Sequence, residues 1–269
     1  MKVIDMHTHI FPEKIAAKAT IATAEYFDLP EPPNHYGSVG ELVEALNRAG
    51  IDYAMVFSAA TTEHQVEHIN RYILSEAEAH PRFIPCGTLH AGYEGYREEL
   101  LWMREHGIYG VKLHPEFQHF VLDDERLFPM FEEMERHDMF LIAHMGDPRV
   151  NVSGPARMLP IAETFPRLRC IAAHLGNWGD SDVEKIRPMA KLENIYTDIS
   201  SSFSYVADKA PLYDILREYN PRHIFFGSDY PIWCPQKELK KTLALGLEED
   251  FLQDILFQNF ASFYHYRKL

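Results

Sequence analysis

Eight short apolar, β-branched or aromatic runs recur along this chain at near-constant spacing, and that recurrence limits the folds open to it. The runs begin near Val3, Ile51, Phe83, Ile108, Met139, Leu168, Asn194 and His223, and after the first gap the starts lie 25 to 32 residues apart. Helical patterns fill the intervals. Residues 38–50 carry Val39, Leu42, Val43 and Leu46 on one face, with Ser38 and Glu41 at capping-box spacing and Gly50 as a stop. Stretches 62–80, 94–107, 123–138 and 209–220 read the same way, and Pro129 predicts a kink or a late start in the third of these.

The runs FIPCGTL, YGVKLH, MFLIAH and RCIAAH are almost continuously apolar, as strands buried on both faces are, which implies a parallel sheet. Eight βα units at this spacing predict one α/β domain over 1–269, a closed (β/α)8 barrel. An open doubly wound sheet is the alternative, disfavoured because no glycine-rich loop follows the first strand. The long first interval, 11–37, predicts an excursion after strand one, either a cover over the barrel mouth or a plain insertion. The amphipathic stretch 248–266 is expected to pack outside the barrel.

Composition narrows the partners. Lys and Arg number 26 against 40 Asp and Glu, a formal net charge of −14, which argues against nucleic acid or an anionic membrane surface. No run of about 18 apolar residues offers a membrane span. Cys86, Cys170 and Cys234 are far apart and form no CxxC pair, so neither a disulfide framework nor a thiolate zinc site is expected. The strand-like start MKVIDMHTH has no apolar signal core, so a cytoplasmic location is the expectation.

In a barrel of this kind the C-terminal strand ends carry the chemistry. Strand one ends in Asp5-Met6-His7-Thr8-His9, strand four in Lys112-Leu113-His114, strand five in His144-Met145-Gly146, strand six in His174-Leu175-Gly176, and strand eight in Ser228-Asp229-Tyr230-Pro231. His7 and His9, two apart on a strand, point to one side as a chelating pair. His144 and Asp229 reach the same point from other strands. Three imidazoles and one carboxylate suit one divalent ion, best Zn²⁺, with Mn²⁺, Fe²⁺ or Co²⁺ also compatible. His174 reads as a catalytic group more than a ligand. His64-Gln65-Val66-Glu67-His68 imitates a zinc motif, but its helix lies on the barrel's outside, where a solvated face is the simpler reading.

With these residues in view the chain resembles the amidohydrolase superfamily, in the branch that includes aminocarboxymuconate-semialdehyde decarboxylase-like enzymes. The resemblance runs through DMHTHIFP, NRAGIDYAMVFS, HPRFIPCGTLH, GVKLHPEFQ, IAHMGD, FPRLRCIAAHLGNWG, NIYTDISS, FFGSDYP and ILFQNFASFY. Phe260 departs from it, standing where the family usually has a small residue. The resemblance implies a TIM barrel holding a divalent metal on His7, His9, His144 and Asp229, with His174 catalytic. In two-metal members a strand-four lysine is carboxylated and bridges the ions, a role that would fall to Lys112; the branch resembled here usually has one metal.

The expected partner is a small-molecule substrate, and a homodimer is compatible with the family. Asp229 is suited to take a proton from a metal-activated water, with the metal and His174 stabilising an oxyanion, giving hydrolysis of an amide, lactone or related ester. Non-oxidative decarboxylation of an unsaturated or aromatic carboxylic acid is the alternative, for which Lys112 or Arg149 would clamp the carboxylate. His114, Asn177 and Trp178 are candidate substrate contacts, and Asp198 and Ser200 are candidate hydrogen-bond partners of the ligands.

Overall fold

The computed structural model describes residues 1–29, 31–206 and 208–264. Nine parallel strands alternate with helices: β1 Ile4–His9, β2 Tyr53–Phe57, β3 Phe83–Pro85, β4 Gly87–Thr88, β5 Gly110–Leu113, β6 Phe140–Ala143, β7 Arg169–Ala172, β8 Ile195–Asp198 and β9 Ile224–Phe225. Strands β1 to β3 pair in order, as do β4 to β9. β3 and β4 are one barrel strand interrupted at Cys86, whose N–H still donates to the Val56 carbonyl at 3.0 Å. At the other seam Met6 N–H donates to Phe226 O, Asp229 N–H to His7 O and His9 N–H to Tyr230 O. Eight strand positions thus follow one another in the order the spacing predicts.

Alternation along the strands separates two cores. Ala54, Val56, Val111, Leu113, Leu141 and Ala143 face the helices, whereas Ile4, Met6, Met55, Phe57, Phe140, Ile142, Ile171 and Phe225 face one another inside the ring. The inner group includes Phe260, Phe263 and Tyr264. The C-terminal segment is therefore not simply an outer helix: it turns its aromatic edge into the end of the barrel, and Phe260 meets Phe225 edge-on with centroids 5.5 Å apart. Amphipathic spacing fixes that one face is buried but not which core receives it. Deleting a buried ring of this kind costs about 3–5 kcal/mol. His265 and Tyr266 of that predicted stretch lie outside the described residues.

The helix boundaries follow local chemistry. Ser38 caps Val39–Ala49 by accepting from Glu41 N–H, the Glu41 carboxylate returns to the cap, and Gly50 closes the helix at φ 68°. Pro129 sits in the first turn of Phe128–Arg136, where its missing N–H costs nothing, so the proline marks a late start after the 3-10 turn Glu125–Leu127. His64 and His68 are both exposed on the outer surface.

The excursion after β1 forms the helix Glu13–Tyr26 and returns along the loop that follows β9, with Asn34 N–H on Ile232 O and His35 N–H on Pro231 O. Ala19, Thr20, Ala22, Thr23, Phe27 and Leu29 line a cavity at the barrel mouth, so the excursion covers it. No helix among the described residues is long and apolar enough to cross a membrane.

Candidate metal centre

The mouth is built from strand ends, and β1 supplies its centre. Strict alternation from Ile4 and Met6 would turn His7 away from the ring, yet His7 packs against Phe57 and His174 inside it. The β1–β2 register shifts between Asp5 and Thr8, and this irregularity resets the alternation so that Met6 and His7 both face inward. Buried Asp5 ties the region together: its Oδ1 accepts from His7 N–H and Ser228 N–H, and burial pushes its carboxyl up to about 7. Gly227 is required where β9 leaves the ring, because a Cβ there would stand 2.7 Å from the His7 Cβ.

His174, Ser201 and Asp229 all have left-handed backbone, with φ of 59°, 56° and 62°. Such conformations are costly for residues with a Cβ, and they cluster where side chains must be aimed at a site. Gly146 has φ 83°, and a Cβ on it would lie 2.4 Å from Trp178 N, so glycine alone lets the loop after β6 close on the loop after β7.

Hydrogen bonds to carbonyl and carboxylate oxygens, which can only accept, fix the imidazole tautomers. His7 Nδ1–H donates to Asp198 Oδ2 at 2.9 Å, leaving a lone pair on Nε2. His174 Nδ1–H points at Ser200 O, 3.1 Å away, and at Ser200 Oγ, 2.9 Å away. The Ser200 hydroxyl in turn donates to Asp198 Oδ1, so His174 also carries its lone pair on Nε2. His144 Nε2–H donates to Gly146 O at 3.1 Å, which leaves the lone pair on Nδ1. That nitrogen lies 3.1 Å from His174 Nε2. Two lone pairs facing each other at this distance repel unless a cation lies against both.

Burial keeps these rings neutral, as metal ligands must be. It pushes His7, His9 and His144 well below the usual imidazole range and His174 down to about 4. Asp229 completes the donor set. Its Oδ1 lies 3.5 Å from His7 Nε2 and 3.6 Å from His9 Nε2, and its Oδ2 accepts from Ser201 Oγ at 2.5 Å. Burial raises its carboxyl to about 6. The donors fit a divalent ion.

Two trios each bring one donor atom per residue within 4.8 Å of the others, His7 with His174 and Asp229, and His114 with Glu116 and His144; His9 Nε2 lies 3.6 Å from Asp229 Oδ1, and His144 Nδ1 lies 3.1 Å from His174 Nε2. The sequence reading assigned His174 away from the ligands, whereas the geometry gives it the same inward lone pair as His7. Lys112 is fully buried, its ammonium 3.2 Å from His7 Nε2, and burial lowers its pKa to about 8.

The cavity above this centre is about 250 Å³. His9, His114, His144 and Asp229 form its polar side, and Phe11, Phe27, Trp178 and Trp233 are among its apolar walls. Of the candidate substrate contacts, His114 and Trp178 line it. Arg149 does not: its guanidinium is held by Asp147 and by the Tyr26 carbonyl, and it straps the excursion to the loop after β6. Asn177 is buried, and its amide donates to Asp180 O. Lys112 lies below the cavity, against His7. Sequence reasoning passed over Ser201, which joins Asp229 to Trp233 Nε1. It also passed over Glu116 and Phe27; no spacing rule points to residues that enter from loops.

Asp198 orients both His7 and His174, so Asp198→Asn is expected to weaken metal binding about 10- to 100-fold with the fold retained. Competition against a metallochromic chelator measures this, and unchanged affinity would show that Asp198 does not orient the ligands.

The amidohydrolase family model matches residues 4–265. No curated protein matches. Among solved structures, a TIM-barrel protein of uncharacterised function from Bordetella bronchiseptica is similar at TM-score 0.77 and 21% identity, covering 98% of this chain and 99% of its own. A dihydroxybenzoic acid decarboxylase from Polaromonas with bound manganese superposes at TM-score 0.75 and 14% identity over 100% of this chain and 98% of that one. A proposed 2-pyrone-4,6-dicarboxylic acid hydrolase from Pseudomonas putida gives TM-score 0.71 and 16% identity over 100% and 99%. Matched from its first strand to its last helix, and folded as a barrel with five histidines and an aspartate at its mouth, the chain belongs to the amidohydrolase family.

Proposed function

We propose that this chain is a metal-dependent hydrolase acting on the carbonyl of a small, largely apolar amide, lactone or related ester. The observation that carries the reading is the inward lone-pair set of His7, His144 and His174 around the free Oδ1 of Asp229. A divalent ion held there, zinc by donor type, would supply Lewis acidity toward water and a carbonyl oxygen. Asp229, raised to about 6, takes the proton of the attacking water on Oδ1 and returns it to the leaving group. His174 Nε2, which keeps its lone pair in the resting tautomer, is aimed at the same point and would help to hold the ion beside the anionic oxygen. The excursion and Trp178 exclude bulk water from the reacting carbon.

Decarboxylation is the second reading, favoured by the ring-lined cavity, which suits a flat unsaturated acid. Among the described residues it lacks a free cationic clamp, since Arg149 is committed to Asp147 and Lys112 faces His7. A screen of metal-loaded protein against lactones, amides and unsaturated carboxylic acids, read by product mass, separates the two. Gain of one water is the expected product change. Loss of carbon dioxide would replace the first reading with the second, and no turnover of any class would remove both.

A further inference from the structure

His174, Leu175 and Gly176 are left-handed in succession, with φ of 59°, 56° and 81°. Residues with a Cβ visit this region singly, because the Cβ crowds the following carbonyl. Two tyrosine hydroxyls grip the run. Tyr205 Oη–H donates to His174 O at 2.7 Å, and Tyr219 Oη–H donates to Leu175 O at 3.1 Å. Tyr205 follows the 3-10 turn Ser202–Ser204, and buried Tyr219 ends the helix Lys209–Glu218. Burial pushes both phenols up, so each keeps the proton it donates. Gly176 makes the room: a Cβ there would stand 2.5 Å from Tyr219 Oη. His174 O also accepts from Asn177 N–H at 3.3 Å, whereas Leu175 O has no second donor among the described residues. The other groups of His174 are bonded to the end of β8: its N–H to Asp198 Oδ1 at 3.3 Å and its Nδ1–H to Ser200. Only Nε2 is left to face the mouth, 3.1 Å from His144 Nδ1.

We propose that Tyr219 is a positioning residue whose hydroxyl holds the left-handed turn 174–176 and so aims the His174 lone pair at the ion. Ser200 fixes the rotation of the imidazole about its own bonds, but the direction of the Cα–Cβ bond is set by the backbone. A left-handed backbone at a residue with a Cβ persists only where its surroundings hold it. Leu175 is fully buried, and a buried carbonyl left without a donor is costly. Without the Tyr219 hydroxyl the turn gains by moving, and the ring of His174 moves with it. The aim rests on the reading of the mouth as a metal centre; the clamp on the turn does not.

Tyr219→Phe removes one hydroxyl and keeps the ring. In competition against a metallochromic chelator the variant should hold Zn²⁺ about three- to tenfold more weakly than the wild type, less than the loss expected for a group bonded directly to a ligand ring. His174→Gly supplies the second background, since glycine takes the left-handed backbone freely. It should weaken the ion by itself, and Tyr219→Phe should then cost nothing more, because the ring it aims is gone. Unchanged affinity in either single variant overturns the proposal. So does a cost of Tyr219→Phe that persists beside His174→Gly, because the hydroxyl would then act elsewhere: through packing, or through its neighbour Thr197 on Asp198. The turn itself is read without metal. Gly176 N–H and Asn177 N–H close it on Ala173 O and His174 O at 2.9 and 3.3 Å. In metal-free Tyr219→Phe their exchange with deuterium should quicken at least about tenfold more than that of the β6 amides. Equal quickening would mean a general loosening and overturns the clamp. No zinc binding by the wild type would fail the metal reading and the aim together, while the exchange result would still decide the clamp.

Discussion

Asp229→Asn is expected to lower kcat about 10²- to 10⁴-fold at saturating metal while leaving the circular dichroism spectrum unchanged. The substitution is nearly isosteric, and asparagine tolerates the left-handed backbone found at this position. The hydrogen bonds say how the loss arises. Trp233 Nε1–H occupies one lone pair of Ser201 Oγ, so the Ser201 proton needs the side chain at 229 as its acceptor. The asparagine carbonyl will turn to Ser201, and its NH2 will face His7 and His9. The variant therefore loses the base and also presents protons to the ion, so its metal affinity should fall as well. Measuring kcat on the screened substrate across a metal titration separates the two losses. Full activity retained at saturating metal would remove Asp229 as the proton acceptor.

The strand order, the capping box at Ser38, the late start at Pro129 and the meeting of His7, His9, His144, His174 and Asp229 at one mouth were all legible in the sequence. Each depends on a local rule: apolar period, cap chemistry, or strand-end position in a parallel barrel. That His7 and His9 share one side of the strand was also readable, but not how that side is reached. Only the shift in register between Asp5 and Thr8 turns them inward beside Met6. What the sequence concealed depends on loop conformation. Arg149 sits two residues after Asp147 and folds back onto it, a pairing that local spacing permits but does not impose. Glu116 reaches His114 because the turn after β5 closes at once into a helix. The helix Glu13–Tyr26 shows weak amphipathicity, and its small residues face the cavity. A pattern search for a buried apolar stripe therefore has little to find there.

Removing metal with a chelator and restoring Zn²⁺ should raise the melting temperature of this protein by roughly 8–16 °C. Ligand at 1,000 times its Kd stabilises the folded state by about 4 kcal/mol. A domain of this size gains about 2–4 °C per kcal/mol. The expectation rests on preorganisation. Asp198, Ser200 and Gly146 already hold the rings of His7, His174 and His144, so binding orders little that folding has not ordered. The unfolded chain offers no such convergence and binds the ion weakly. Without a cation the facing nitrogens of His144 and His174 repel across 3.1 Å, a cost the ion removes. One equivalent per chain is expected by elemental analysis of the restored protein. Two equivalents would assign Lys112 as a carboxylated bridge instead of an ammonium beside His7. A melting temperature unmoved by Zn²⁺, Mn²⁺, Fe²⁺ or Co²⁺ would mean that the four-strand convergence holds no ion, and the hydrolytic reading would fall with it.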